Sequence, residues 1–186
     1  LDSDNDGICY RTYPGTHPEK GAYFTRGTSH DEYARYTEDG NVNAETLMRL
    51  MRKFRTASEL VPEPLIEING EDSCGIIFYG SSKPAVLEAK DILKTKNINV
   101  DLMQIRSFPF NLDVWEFIAN HDRIYVVEQN RDSQMRTLIM AEGGISAEVL
   151  RPLVHFTGDP IEAAYIVNKV SEREVNYKSH KNIKER

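Results

Sequence analysis

From Pro64 to Val170 short apolar runs alternate with helical periods, and this alternation restricts what the chain can become more than anything else in it. Residues 65–68 read as a short strand, and Gly75-Ile76-Ile77-Phe78-Tyr79 as a stronger one. A helix over 83–94 follows, with Ala85, Val86, Ala89, Ile92 and Leu93 apolar along one side. Strands over 100–105, 123–128 and 152–156 are separated by helical stretches at 112–119 and 134–141, and the last leads into a helix over 161–170. A continuous run such as Ile124-Tyr125-Val126-Val127 is what a strand covered on both faces needs. Strands separated by single helices are joined by crossovers. The expected fold is therefore α/β, a mostly parallel open sheet with helices on both faces, over residues 64–172.

Residues 1–63 have a different character. Up to about residue 43 the chain is rich in Gly, Thr, Tyr, His and charge, with no sustained apolar period, and is expected to be irregular. An amphipathic helix over 44–60 carries Leu47, Met48, Leu50, Met51 and Phe54 against Arg49, Arg52, Lys53 and Arg55. Asn43 is its expected N-cap, and Pro62 and Pro64 end it. This segment is expected to belong to, or pack on, a further domain upstream. The chain opens without Met inside an acidic turn, so a processed or excised fragment is the simpler reading. Residues 173–186 are expected to be a charged, frayed tail.

Charge and composition exclude several roles. A net charge of −6 over 186 residues, with both signs interleaved, argues against general nucleic-acid binding. No apolar run approaches a bilayer span, so no membrane partner is expected. Two distant cysteines, Cys9 and Cys74, without a CxxC pair fit a reducing, cytoplasmic setting and no metal cage.

Ligands of an open α/β sheet meet the carboxyl ends of its strands. Four polar turns fall there: Gly80-Ser81-Ser82, Arg106-Ser107, Gln129-Asn130-Arg131-Asp132 and Thr157-Gly158-Asp159. Ser82, Asn111, Asp132 and Asp159 read as helix caps. Arg106, Gln129 and Arg131 are left over as candidates for contact with substrate or a partner surface. There is no GxGxxG, no GxxxxGK[ST] and no GxSxG, so the sheet is a Rossmann-type frame without a nucleotide loop of its own. The acidic run Asp2, Asp4, Asp6, Gly7 resembles the start of a calcium loop, but Tyr13 stands where the bidentate Glu is required. A solvated acidic turn is the better reading, and no metal site is assigned.

Residues 17–33 concentrate His, Arg, Asp, Glu and Tyr around two glycines, as functional loops do. Arg26 could grip a carboxylate bidentately, and His30, beside Asp31 and Glu32, could donate a proton or hold one. The competing reading is that both tie the loop to its own protein through backbone carbonyls.

Four segments in order carry a resemblance. They are Thr25-Arg26-Gly27-Thr28-Ser29-His30-Asp31-Glu32-Tyr33, Phe78-Tyr79-Gly80-Ser81-Ser82, Gln104-Ile105-Arg106-Ser107-Phe108-Pro109-Phe110, and the stretch from Val127 through Gln129 and Arg131 to Met135. Together they resemble the C-terminal region of 2-oxoacid:ferredoxin oxidoreductase alpha subunits, especially the 2-oxoglutarate type, with its transketolase C-terminal-like domain. Ala34 stands where that family often has Gly, and Ser133 where Gly or Ala is common, a change expected to be tolerable at a helix start. The resemblance implies oxidative decarboxylation of a 2-oxoacid to an acyl-CoA with reduction of ferredoxin. It places thiamine diphosphate, Mg²⁺ and the iron–sulfur cluster in the full complex, with the beta subunit as partner and ferredoxin, 2-oxoacid and CoA met at the level of the complex. It implies no catalytic residue, cofactor or metal in this chain, which would serve subunit association and active-site shaping and be inactive alone. The contrasting reading is a free-standing Rossmann-like module that binds an anion or a protein.

Overall fold

The computed structural model describes residues 2–21, 29–70 and 74–184, with side chains described to residue 177. The chain divides into two compact units, Leu1–Val61 and Pro62–Arg186.

The first unit is built on helix α1 (Gly40–Leu60). It starts four residues before the expected position. Asp39, not Asn43, caps it, its carboxylate accepting the Asn41 and Val42 N–H groups. Asn43 instead accepts a hydrogen bond from Ser29 Oγ at 2.8 Å. The polar first turn carries no apolar period, so only the capping side chain marks the start. The acidic segment docks on the basic side of this helix. Arg52 pairs with Asp2 at 3.0 Å, Arg49 donates to the Gly7 carbonyl, and Thr56 donates to the Asp6 carbonyl. The other acidic side chains are also engaged: Asp6 accepts the Ile8 N–H and Asp4 accepts the Tyr10 hydroxyl. The carboxylates thus form a turn docked on α1.

Burial pushes the Asp2 carboxyl up, but the Arg52 hydrogen bond, the Gly7 N–H and the Arg52 charge outweigh it and hold it below its ordinary value. Gly7 has φ +84°, and a Cβ there would fall on the Lys53 backbone and within 2.7 Å of the Arg49 carbonyl. Only glycine lets the turn approach the helix this closely.

The second unit is a five-stranded sheet. Its strands are β1 (Leu65–Glu67), β2 (Cys74–Tyr79), β3 (Val100–Ile105), β4 (Ile124–Glu128) and β5 (Leu150–Val154). Helices α2 (Lys83–Thr95), α3 (Leu112–Ala119), α4 (Gln134–Gly143) and α5 (Ala163–Lys184) alternate with them. The order across the sheet is β1-β3-β2-β4-β5. Strands β3, β2, β4 and β5 are parallel, and β1 lies antiparallel on the edge beside β3.

Successive residues of a strand point to opposite faces, and the core divides accordingly. Ile76, Phe78, Leu102, Tyr125 and Val127 pack under α2 and α5 with Val86, Leu93, Ile166 and Val170. Ile77, Met103, Ile124 and Val126 pack under α3 and α4 with Val114, Phe117 and Ile139. The expected α/β fold with helices on both faces is the fold observed.

The main boundary differences from the sequence reading lie at β5 and α5. Strand β5 begins at Leu150, two residues early, because the pairing runs Ile124 to Leu150 and Arg151 to Tyr125. Helix α5 begins at Ala163, not at Ile161 behind an Asp159 cap. It also continues through Lys184, so residues 173–184 of the segment expected to fray are helical. The reason is burial: Val170 and Glu174 face inward, one turn apart, and Glu174 is paired beneath the helix with Arg123 and Tyr125. No helix among the described residues is long and apolar enough to cross a membrane.

Replacing Gly7 with Ala is expected to release the acidic turn from α1, seen as faster amide exchange at residues 2–8 with α1 itself little changed. Because Asp2 titrates below its ordinary value when folded, its contribution is present above the unfolded carboxyl pKa and lost as pH falls through the folded one. The same amides in the unaltered chain should therefore lose protection on acidification, and Arg52→Ala should reduce that pH dependence, leaving the part that the Gly7 N–H sustains.

Candidate functional site

Strand β2 has β3 on one side and β4 on the other. The crossover through α3 therefore reverses the winding, and the carboxyl ends of β2 and β4 flank the topological switch point where such sheets bind ligands. Here the switch point is bridged by the chain's own side chains. Gln129, just past β4, donates from Nε2 to Ser81 Oγ at 3.0 Å and Ser82 Oγ at 3.1 Å, just past β2. Its Oε1 accepts the Ile161 N–H at 3.3 Å, ahead of α5. One amide thus joins three strand exits. Asn130 adds a second bridge, from Nδ2 to the Tyr79 hydroxyl at 3.4 Å. Burial and the Glu128 charge push the Tyr79 phenol up, and the Asn130 contact opposes them.

Beneath this bridge lies a residue the sequence reading did not single out. Glu128 ends β4 with 0% exposure. Its carboxylate accepts the Met135 N–H at 2.7 Å, the Arg136 N–H at 2.9 Å and the Asn130 Nδ2 at 2.8 Å. A helix start leaves its first N–H groups without intrahelical partners, and Glu128 satisfies two of those of α4 from below. Asn130 Oδ1 takes the Gln134 N–H at 3.2 Å. Asp132 does not cap α4: its carboxylate pairs with Arg131 at 2.7 Å, and the N-cap position is Ser133 in the left-handed region at φ +52°. Nor do the other three expected caps act as caps. Ser82 Oγ is taken by Gln129, Asn111 makes no side-chain cap bond, and the Ile161 N–H goes to Gln129 rather than to Asp159.

The remaining candidates divide between the units. Arg106 leaves β3 exposed, with one long contact of 3.4 Å to the Glu63 carbonyl, while Ser107 donates to the Pro62 carbonyl at 2.6 Å. Arg131 leaves β4 with its side chain 75% exposed. The two arginines therefore sit on the same carboxyl edge, separated by the exit of β2. Phe108 beyond β3 and Phe156 beyond β5 are also exposed along it. His155, missed in the sequence, follows β5: its Nε2 lies 3.3 Å from Thr157 Oγ1 and its ring meets Tyr165 edge-on.

In the first unit, His30 pairs with Tyr36 in an isolated bridge, and its Nδ1 lies 2.9 Å from the Asp31 carbonyl. A carbonyl only accepts, so Nδ1 carries the proton. Asp31 is used by its own turn, accepting the Tyr33 and Arg35 N–H groups at 2.9 Å, and is not an acid partner for His30. His30 lines a cleft of about 1480 Å³ together with Tyr10, Tyr33, Arg49 and Arg52. Arg26 lies outside the described residues.

Cys74 is buried at the start of β2, and burial followed by the Glu174 charge pushes its thiol up to about 12, far from a nucleophile's range. Among the described residues no three His, Cys, Asp or Glu side chains converge to hold a metal.

No protein-family model matches the chain. It is similar to subunit alpha of 2-oxoacid:ferredoxin oxidoreductase 2 from Aeropyrum pernix, 28% identical over 176 residues, which are 90% of this chain and 26% of that protein. It is also similar to the 2-oxoacid:ferredoxin oxidoreductase subunit alpha of Saccharolobus solfataricus, 28% identical over 140 residues, 73% of this chain and 22% of that one. The chain thus spans about a quarter of the length of these relatives. Among solved structures, 2-oxoglutarate:ferredoxin oxidoreductase from Magnetococcus marinus, with 2-oxoglutarate, coenzyme A and succinyl-CoA bound, matches with a TM-score of 0.75 at 24% identity, covering 90% of this chain and 29% of that one. At that identity the structural match shows the fold. The resemblance read from the strand-exit motifs is borne out: the chain is similar along most of its length to alpha subunits of 2-oxoacid:ferredoxin oxidoreductases.

Replacing Glu128 with Ala orphans two partly buried N–H groups and should cost about 1–3 kcal/mol, measured by denaturant unfolding. Gln129→Ala should cost less in stability but accelerate amide exchange at Ser81, Ser82 and Ile161 together. Acceleration at only one of the three would contradict the single-amide bridge.

Proposed function

We propose that the chain is a portion of the alpha subunit of a thiamine-diphosphate-dependent 2-oxoacid:ferredoxin oxidoreductase, in which it serves subunit association and shapes the approach to the active site. The observation that carries this is sequence likeness over nine-tenths of the chain to an alpha subunit of that name. The construction of the carboxyl edge supports it. The switch point that would hold a ligand in a free-standing sheet is filled by Gln129, Ser81 and Ser82, while arginines and aromatic rings remain on the surface. An edge built this way suits a protein surface better than a small-molecule pocket.

Thiamine diphosphate would supply the decarboxylation chemistry when bound in the complex, and the chain's described residues do not fit a Mg²⁺ or iron–sulfur ligand set. Their work is to bind and position. Arg106 and Arg131 present guanidinium forks to acidic groups on the beta subunit or on substrate, and Gln129 fixes the loop from which Arg131 projects. His30 faces the cleft of the first unit as a group able to orient a carboxylate. The protein would act in the cytoplasm on a 2-oxoacid, with CoA and ferredoxin as co-substrates. 2-Oxoglutarate is the proposed substrate, because the matching solved enzyme has it bound.

Purifying the intact gene product should bring down a beta subunit with iron–sulfur absorbance and CoA-dependent ferredoxin reduction, fastest with 2-oxoglutarate among a panel of 2-oxoacids. Arg106→Ala with Arg131→Ala should weaken subunit association or raise the KM for the 2-oxoacid by about tenfold or more, the loss of one or two charge-assisted hydrogen bonds. A product that purifies alone, without that absorbance or activity, would contradict the proposal and leave a free-standing binding module.

A further inference from the structure

At the amino end of the sheet, on the face covered by α5, two arginines reach one buried carboxylate, and a third is anchored nearby. Glu174 is 3% exposed and accepts the Tyr125 hydroxyl at 2.8 Å. Arg123 Nε donates to both its oxygens, at 3.3 and 3.2 Å, and lies 3.9 Å over the Tyr177 ring. Arg123 is therefore the counter-ion of Glu174. Arg151 reaches the same carboxylate only at 3.9 Å and is held by the Tyr125 hydroxyl at 3.3 Å. Arg173 has no ion pair among the described residues, and its Nη1 donates to the Pro152 carbonyl at 2.9 Å. Arg151 and Arg173 together flank a shallow, open cavity of about 450 Å³, bordered by Pro152, Asn176 and Tyr177. Among the described residues no acidic side chain lines it.

Two guanidiniums beside one cavity, with their nearest carboxylate already matched to a third, leave a local excess of positive charge. A backbone carbonyl fixes the Arg173 fork and a phenol the Arg151 fork, and Arg151 keeps only the long 3.9 Å pairing with Glu174. Such an arrangement is unfavourable until an anion enters, and it is organised before the anion arrives. A phosphate fits two guanidinium forks by geometry and charge. The Tyr177 ring and Pro152 offer a flat apolar wall beside it, suited to the organic part of a phosphate ester.

We propose that this cavity binds a small phosphate monoester, with Arg151 and Arg173 gripping the phosphate and the Tyr177–Pro152 wall contacting its organic part. The proposal stands apart from the reading of the carboxyl edge, since the cavity opens at the other end of the sheet.

The test is NMR on the full chain, following the Arg151 and Arg173 Nε–H signals during titration with phenyl phosphate and, separately, inorganic phosphate at constant ionic strength. Both signals should shift at millimolar ligand or below, and phenyl phosphate should bind several-fold tighter. Arg173→Gln should weaken binding about tenfold with an unchanged melting temperature, and Arg173→Lys should restore part of it. Signals that stay still up to tens of millimolar would overturn the site, even if the variants failed to fold. Equal affinity for the two ligands would overturn the monoester assignment.

Discussion

A fully buried glutamate at the end of a central strand is the constraint on which the carboxyl edge depends. Glu128 leaves β4 among apolar residues and would be intolerable there without partners. It finds three, all N–H donors, and two of them are the first groups of α4. The strand, the turn and the helix are thereby locked as one piece. Gln129 then emerges in a fixed direction and spends both ends of its amide on the exits of β2 and β5. Because the switch point is filled from within, the sheet offers its edge as a surface rather than a pocket.

Much of this frame is legible in the residues. The apolar runs at 76–78 and 124–127 read as strands covered on both faces, as do Val100, Leu102 and Met103 despite Asp101 between them, and the helices between them follow from the amphipathic period. What the sequence reading missed depends on long-range pairing. Glu128 looked like an ordinary polar strand end, because its partners lie seven and eight residues on. Two of the expected caps failed for a related reason: Glu128, Asn130 and Gln129 had already taken the N–H groups that Asp132 and Asp159 were expected to satisfy. The charged tail looked frayed because the partner of Glu174 is Arg123, 51 residues away. In each case a single polar side chain, invisible to periodicity, decides a boundary.

Two positions where the chain departs from its resembled family acquire a physical meaning. Ala34 and Ser133 both sit in the left-handed region, at φ +62° and +52°. Glycine is favoured there because it pays no Cβ penalty, which costs other residues about 1–2 kcal/mol. Ser133 is thus not merely a helix-start residue but a mildly strained one, in the loop that carries Arg131. The acidic turn shows the reverse: Asp2, Asp4 and Asp6 suggested a cation, and the basic side of α1 together with the turn's own hydroxyl and amide groups satisfies them.

Amide hydrogen exchange at Met135 and Arg136 in the full chain probes the central claim most directly. If Glu128 locks β4 to α4, both amides should exchange as slowly as those of Ile77 and Val126 in the middle of the sheet. Exchange at the rate of an open helix start would mean that the carboxylate does not hold them, and that the edge is not the fixed surface described.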